Sequence, residues 1–357
     1  MKVAIIGAGA IGSLVAGYLS KEGMDVTLVG KRRDVLAIKE NGLIIEGVRG
    51  RIVIPVNVTN KLGNADFIIL AVKTQDIVSA LNENIQVLKD APILTVQNGV
   101  RAEEILLKFV PKERIIGSII MFGATYLEPG RILHNFEGDW IIGKVFVQND
   151  EKVETIVNLL NKAFPVHTTE EVREMKWLKL FLNLNNCLPA LVGKSMQETF
   201  SDLETCKLSI RLLYEALMVV DKAEIKLKSL PDFPVERVRA LTEMSLEEAS
   251  KIFSKIMTNL SETPLYGSIL QSIKRKRPSE IDYFNGEIVS LGKKLGLSAP
   301  LNKKVVEMVH EVERKGEFFR PKDILNKFNC LPQRTQRPQR RPSASSVSSV
   351  VNDHKQI

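Results

Sequence analysis

The chain opens on Val3-Ala4-Ile5-Ile6, a short continuous apolar run between Lys2 and Gly7. Such a run suits a strand covered on both faces, as in a parallel sheet. Residues 10–22 then carry a helical spacing that stops near Gly23. Residues 25–29 and 65–72 read as further strands, with a helix from about Asp76. A strand at 93–96 ends on Gln97-Asn98-Gly99, a helix covers 101–109, and strands recur at 115–122, near 131–134 and at 140–146. Strand and helix in alternation predict an α/β domain built on a doubly wound parallel sheet. From about residue 151 long helical segments take over, at 151–164, 171–195, 202–227, 235–257, 279–295 and 302–315. They predict a second domain that is all-helical. The boundary is placed near His167-Thr168-Thr169, with Thr169 as a cap for the next helix. The domains expected are thus 1–168 and 169–330.

Residues 331–357 break both periods. They are rich in Pro, Gln, Arg and Ser and read as a disordered basic tail. The N-terminal stretch VAIIGAGAIGSLVAGYL could pass for a signal-peptide core, but its glycines at 7, 9, 12 and 17 and the strand that follows argue against that. No stretch reaches the length of a membrane span. Three scattered cysteines form neither a disulfide framework nor a metal motif, and the four histidines lack metal-ligand spacing. No metal is expected, and a reducing, cytoplasmic setting is.

The formal net charge is +8. Such a balance fits nucleic acid, an anionic membrane or an anionic cofactor, so its location decides. The tail holds five basic residues against Asp353, a net +4, which leaves half of the excess on residues 1–330. No aromatic-interleaved basic motif supports nucleic-acid binding.

Gly7-Ala8-Gly9-Ala10-Ile11-Gly12 is a GxGxxG turn between a strand and a helix, the context that a dinucleotide site requires. Gly7 permits the tight turn, Gly9 lets backbone approach a pyrophosphate, and Gly12 lets helix and strand pack closely. The helix N-terminus offers N–H groups and a positive dipole end to the phosphates. The second strand runs into Val29-Gly30-Lys31-Arg32-Arg33, with no carboxylate at its tip. An NAD site uses an acid there to hold the ribose hydroxyls. Lys31 and Arg32 would instead meet a 2′-phosphate, so NADP(H) is the expected cofactor.

The segment EVREMKWLKLFLNLNNCLPALVGKS, 171–195, is apolar nearly all round yet carries Lys179 and Asn183 four apart on one face. A buried lysine without a partner is costly, which favours a cleft for Lys179. Lys176, one turn earlier, is read as the solvated lysine. Pro189 should free the carbonyl of Asn185 and kink the helix. A second cluster joins Ser268 to Pro278-Ser279-Glu280-Ile281-Asp282, a helix start with acids in its first turn. Asn285-Gly286 inside a helix costs stability and points to close packing.

Taken together, GAGAIG, Ala71-Val72-Lys73, Gln97-Asn98-Gly99, Gly130-Arg131-Ile132-Leu133-His134, the KLxxN run Lys179–Asn183, Ser268-Ile269-Leu270-Gln271 and Glu280-Ile281-Asp282-Tyr283-Phe284-Asn285-Gly286 occur in an order that resembles the ketopantoate reductases (2-dehydropantoate 2-reductases), over roughly residues 1–320. The resemblance implies a Rossmann domain followed by a helical one, with the site in the cleft between them. It implies NADPH reduction of 2-dehydropantoate to pantoate, toward pantothenate and coenzyme A. It makes Lys179 the general acid at the ketone. Lys73, Asn98 and Ala124 would contact cofactor, with Asn98 also near substrate. Asn183 and Ser268 would bind substrate, and Glu280 would bridge cofactor ribose and a substrate hydroxyl. The pattern departs from the family at Cys187, where an Asn is usual, and at Gln197, where another substrate-binding Asn is often found.

Two alternatives stand beside this reading. One is an NADP-dependent reductase of another branched 2-oxo acid, or an opine-type dehydrogenase, on the same plan. The other is a non-catalytic NADP(H)-binding regulator, against which the joint presence of Lys179, Asn183, Ser268 and Glu280 argues. The expected partner is a small 2-oxo acid, not nucleic acid or membrane. A homodimer is left open.

Overall fold

The computed structural model describes residues 1–84, 87–88 and 90–329. The expected tail at 331–357 lies outside the described residues. The chain divides into two compact units, Met1–Lys176 and Trp177 onward.

In the first unit the strands and helices follow as β1 (Lys2–Ile6), α1 (Ala10–Lys21), β2 (Asp25–Val29), α2 (Arg32–Asn41), β3 (Leu43–Gly47), β4 (Ile52–Ile54), β5 (Asn57–Thr59), β6 (Phe67–Leu70), α3 (Ile77–Asn84), β7 (Ile93–Thr95), α4 (Ala102–Leu106), β8 (Ile115–Ile120), β9 (Gly123–Glu128), β10 (Arg131–Phe136), β11 (Trp140–Lys144), α5 (Glu151–Leu160) and β12 (Val166–Thr168). The main sheet has the order β12-β11-β8-β7-β6-β1-β2-β5. Its six strands from β8 to β5 are parallel, while β11 runs antiparallel to β8. The continuous apolar runs arise because both faces are covered. Val3 and Ile5 join the core on the α1 side, and Ala4 and Ile6 join the opposite core with Ile77 and Leu81 of α3.

The doubly wound sheet was expected; a second sheet was not. Its order is β4-β3-β10-β9, so the strand near 131–134 belongs to it and not to the main sheet. These short strands lie in a segment that the sequence pattern left unassigned between 30 and 64, and in a turn-rich hairpin at 123–136. His134 of β10 is buried, and its Nδ1 lies 3.0 Å from the Tyr18 hydroxyl of α1, which ties this sheet to the glycine-turn helix.

Helix α6 (Val172–Leu184) starts in the first unit and ends in the second. The second unit continues with α7 (Cys187–Val192), α8 (Met196–Phe200), α9 (Leu203–Lys222), α10 (Val235–Glu243), α11 (Leu246–Thr258), α12 (Ser268–Lys274), α13 (Asn285–Lys294), α14 (Pro300–Lys315) and α15 (Pro321–Asn329). It is helical as expected, but three of the long segments are broken, the one expected at 279–295 by Phe284 between a short 3₁₀ turn and α13. The expected helix at 171–195 ends at Leu184 and restarts at Cys187. Pro189 sits in the first turn of α7, where its missing N–H costs little. The Asn185 carbonyl is therefore not freed: it accepts from the Leu188 N–H at 3.3 Å. The segment 235–257 divides at Ser245, whose side chain caps α11 by accepting from the Glu248 N–H. Asn285-Gly286 opens α13 instead of lying inside a helix, and a Cβ at Gly286 would meet only ordinary contacts. Buried Glu215 of α9 organises the start of α14 by accepting from the Leu301 and Asn302 N–H groups and from Asn302 Nδ2. Burial raises its pKa.

Candidate active site

In the first unit, loops leaving the carboxyl ends of β1, β2, β6 and β7 meet beside the glycine turn. Gly7 has φ +121°, and a Cβ there would lie 2.7 Å from the Ala71 carbonyl. A Cβ on Gly12 would lie 1.9 Å from the Gly7 oxygen. These two positions admit only glycine. Gly9 is the N-cap of α1 and offers no side chain to the helix end, while a Cβ placed on it would meet nothing within 4 Å. Tight packing beneath the turn and open space above it fit a dinucleotide pyrophosphate on the first helical N–H groups. Ala8, Ala10 and Ile11 complete the turn. Strands β2 and β6 flank β1 on opposite sides, so this turn also lies where the strand order reverses, the usual ligand position in such sheets.

Gln97 joins two further loops here. Its Nε2 donates to the Leu70 and Val72 carbonyls at 2.8 and 2.7 Å. That places Gln97-Asn98-Gly99 beside Ala71-Val72-Lys73, with Asn98 and Lys73 both half-buried. Lys31 and Arg32, at the N-terminus of α2, are exposed. Ala124 lies apart from these loops along the chain, on β9 of the small sheet, paired with His134.

Helix α6 corrects the reading of its lysines. Lys176 is not solvated: it is 3% exposed and bonded to the buried carboxylate of Glu103, which also accepts from the Thr95 hydroxyl. An ammonium can be buried there because a carboxylate is buried with it. Lys179, three residues on, is half-buried. The partner of Lys176 stands 73 positions away in the chain, so sequence spacing could not reveal it.

The second unit gathers three of its polar side chains. Asn186 Nδ2 donates to Asn183 Oδ1 at 3.2 Å, and Asn186 Oδ1 lies 2.7 Å from where a Cβ on Gly267 would be. Gly267 is the N-cap of α12, and Ser268 is the first residue of that helix. Asn186 thus brings Asn183 to the start of α12. Two buried atoms in this group, Asn183 Nδ2 and Ser268 Oγ, have no hydrogen-bond partner among the described residues. Buried polar atoms are rarely left this way, and exceptions need an explanation. The sequence pattern singled out Asn183 and Ser268 but gave Asn186 no role. The glycine ahead of Ser268 was the available signal for close approach there. Glu280, 8% exposed, precedes a single 3₁₀ turn at Ile281–Tyr283 without a side-chain hydrogen bond to its N–H groups, and Ser279 and Asp282 beside it are held by a separate network.

Comparison with known proteins places this arrangement. The model of the family "Ketopantoate reductase PanE/ApbA" matches residues 3–145, and that of its C-terminal part matches residues 171–313. The chain belongs to the ketopantoate reductase family. The 2-dehydropantoate 2-reductase of Pyrococcus horikoshii is 32% identical over 320 residues, covering 88% of this chain and 99% of that protein. The enzyme of the same name from Aquifex aeolicus is 29% identical over 336 residues, covering 90% and 99%. Among solved structures, a ketopantoate reductase from Ralstonia eutropha JMP134 is similar with TM-score 0.74, 25% identity and coverage of 88% and 99%. A ternary structure of D-mandelate dehydrogenase with NADH and anilino(oxo)acetate is similar with TM-score 0.76, 25% identity and coverage of 91% and 100%. The protein is therefore an oxidoreductase with a nucleotide-binding fold.

The two departures from the ketopantoate reductase pattern have structural work. Gln197 donates to the Ser261 and Thr263 carbonyls and accepts from the Leu265 N–H, which fixes the loop leading to Gly267. Cys187 is fully buried and donates to the Leu184 carbonyl at 3.0 Å; burial pushes its thiol up to about 12, so it is inert as a nucleophile. Among the described residues no cluster of His, Cys, Asp or Glu could hold a metal ion, and no helix is long and apolar enough to cross a membrane.

Proposed function

We propose that this chain reduces 2-dehydropantoate to pantoate with NADPH, in the cytoplasmic synthesis of pantothenate and coenzyme A. The observation that carries the reading is the pair of buried, unpartnered polar atoms, Asn183 Nδ2 and Ser268 Oγ, in a family whose curated relatives reduce this compound by name. A donor amide and a hydroxyl suit a carboxylate or hydroxyl of a small 2-oxo acid. NADPH, when bound, supplies the hydride. The glycine turn with Ala8, Ala10 and Ile11 would hold its pyrophosphate, and Lys31 and Arg32 its 2′-phosphate. Lys73, Asn98 and Ala124 would line its path. Lys179 donates a hydrogen bond to the ketone oxygen and gives up its proton there as the alcohol forms. Asn98, Asn183 and Ser268 orient the substrate, and Glu280 spans the cofactor ribose and a substrate hydroxyl.

Steady-state NADPH oxidation with 2-dehydropantoate tests this. We expect activity in the wild type, a clear preference over NADH, and a loss of about 10²–10⁴ in kcat for Lys179→Ala. Full turnover by that variant would remove Lys179 from the chemistry, and equal use of NADH would overturn the role of Lys31 and Arg32. Gln197 favours a second reading, because backbone groups use its whole amide. Contacts to the far end of the substrate then differ from the family pattern, and another branched 2-oxo acid becomes the substrate. Activity with such an acid but not with 2-dehydropantoate would select that reading.

A further inference from the structure

We propose that Asp34 and Tyr126 form a cofactor-discriminating pair, in which Tyr126 holds away from the ribose an acid that would otherwise favour NADH. The proposal rests on the reading of the glycine turn as an NADP(H) site. A Cβ on Gly30, the residue after β2, would lie 2.7 Å from the Ala8 Cβ and 3.5 Å from the Asp34 Cβ. Asp34 therefore stands where the tip of β2 meets the glycine turn. A carboxylate in this place accepts from a ribose 2′-hydroxyl and repels a 2′-phosphate. Sequence order hid it, because Asp34 lies five residues past the end of the strand.

The carboxylate is already occupied. Tyr126 of β9 donates its hydroxyl to Asp34 Oδ1 at 2.5 Å, and Arg33 Nε lies 3.8 Å from Oδ2. The Asp34 side chain is 6% exposed, while that of Arg33 is 53% exposed. The tyrosine ring packs against the core beneath α1, which fixes the direction of its hydroxyl. Both carboxylate oxygens are thus turned to protein partners. What remains open at this end is the cationic pair Lys31 and Arg32. Discrimination then has two parts: cations offered to the phosphate, and an acid withheld from the hydroxyl.

The test is a cycle of cofactor dissociation constants for NADPH and NADH, measured on the full chain. The proteins are wild type, Tyr126→Phe, Asp34→Asn and the double variant. Releasing the carboxylate in Tyr126→Phe should shift the NADPH-to-NADH affinity ratio about tenfold toward NADH, the scale of one hydrogen bond to a charged group. The double variant should return to the ratio of Asp34→Asn, because the effect passes through that carboxylate. An unchanged ratio in Tyr126→Phe, or an equal loss for both cofactors, would reduce the pair to packing and overturn the proposal. So would a shift that persists in the double variant. Should Tyr126→Phe not fold, Arg33→Gln, which strips the exposed partner from the same carboxylate, runs in the same cycle with the same expected direction. The wild-type ratio separately tests the NADP reading: equal binding of both cofactors defeats that reading, whereas the cycle alone decides the pair.

Discussion

At Asn183 and Ser268 the molecule spends stability on polar atoms that the fold does not satisfy. Leaving a buried donor or acceptor unpaired costs about 1–3 kcal/mol, so these two positions are poor choices for a residue that only packs. Ser268→Ala should therefore melt no lower than wild type, and up to about 1 kcal/mol more stable, whereas Asn183→Leu also strips the acceptor from the buried Asn186 amide and should lose about 1–3 kcal/mol. Their kcat/KM for the 2-oxo acid should fall at least about tenfold, mostly through KM, as expected for lost substrate contacts. Calorimetry and steady-state kinetics on the same preparations check both halves. A fall in melting temperature with unchanged kinetics would make the pair structural. The sequence made Asn183 visible because a polar side chain on an apolar helix face stands out, whereas Ser268 was visible only through the resemblance to the family. It misassigned Lys176 because that residue, like Lys179, breaks an apolar pattern, and only the fold shows the buried Glu103 carboxylate against Lys176.

The segment that carries Glu280 shows how an element is held by charges outside it. His310 of α14 lies 2.8 Å from Glu313 and, through its other ring nitrogen, 3.0 Å from Asp282. Glu313 in turn accepts from the Ser279 N–H at 2.7 Å. Burial by itself lowers the His310 pKa, but hydrogen bonds to Glu313 and Asp282 outweigh it and the net direction is up. Burial pushes Glu313 the other way, and its bonds to Ser279 and His310 bring it below the ordinary carboxylate range. The sign for His310 follows from a folded pKa above the unfolded one. Its contribution is complete below the unfolded value, about 6.5, and is lost as pH rises through the raised folded value. Because the His310 side chain is 42% exposed, solvent screening holds the effect to about 0.5–1 kcal/mol. His310→Gln should thus lie below wild type in stability at pH 6 and converge with it at pH 9, measured by urea unfolding. A constant difference across that range would assign His310 to packing alone. No sequence period could announce this joint, because Asp282 precedes α13 and His310 lies on α14.

Across the whole chain, legibility followed the physics of each layer. The parallel strands announced themselves as apolar runs because both faces are covered. The small sheet did not, since Leu43–Gly47, Ile52–Ile54 and Gly123–Glu128 are short, half-exposed and separated by glycine turns. The helical unit was legible in class but not in its breaks, which depend on caps such as Ser245 and on the turn at Asn185-Asn186. The charge is the property that belongs to no single element. Half of the +8 lies in residues 331–357, and the cations proposed to meet a phosphate lie at the tip of β2, so these two sources of charge should behave differently in salt. One cation–phosphate contact in a water-like medium is worth about 1 kcal/mol, roughly fivefold in affinity. Raising salt from about 0.1 M to about 1 M shortens the Debye length from about 10 Å to about 3 Å and removes most of that. The dissociation constant for NADPH should therefore rise about fivefold more than that for NADH over this range, as read by isothermal titration. A chain ending at residue 330 loses a net +4 but keeps Lys31 and Arg32, and its difference in salt response should be the same. If the difference vanished on truncation, the basic segment beyond 330, and not the strand tip, would be what recognises the phosphate.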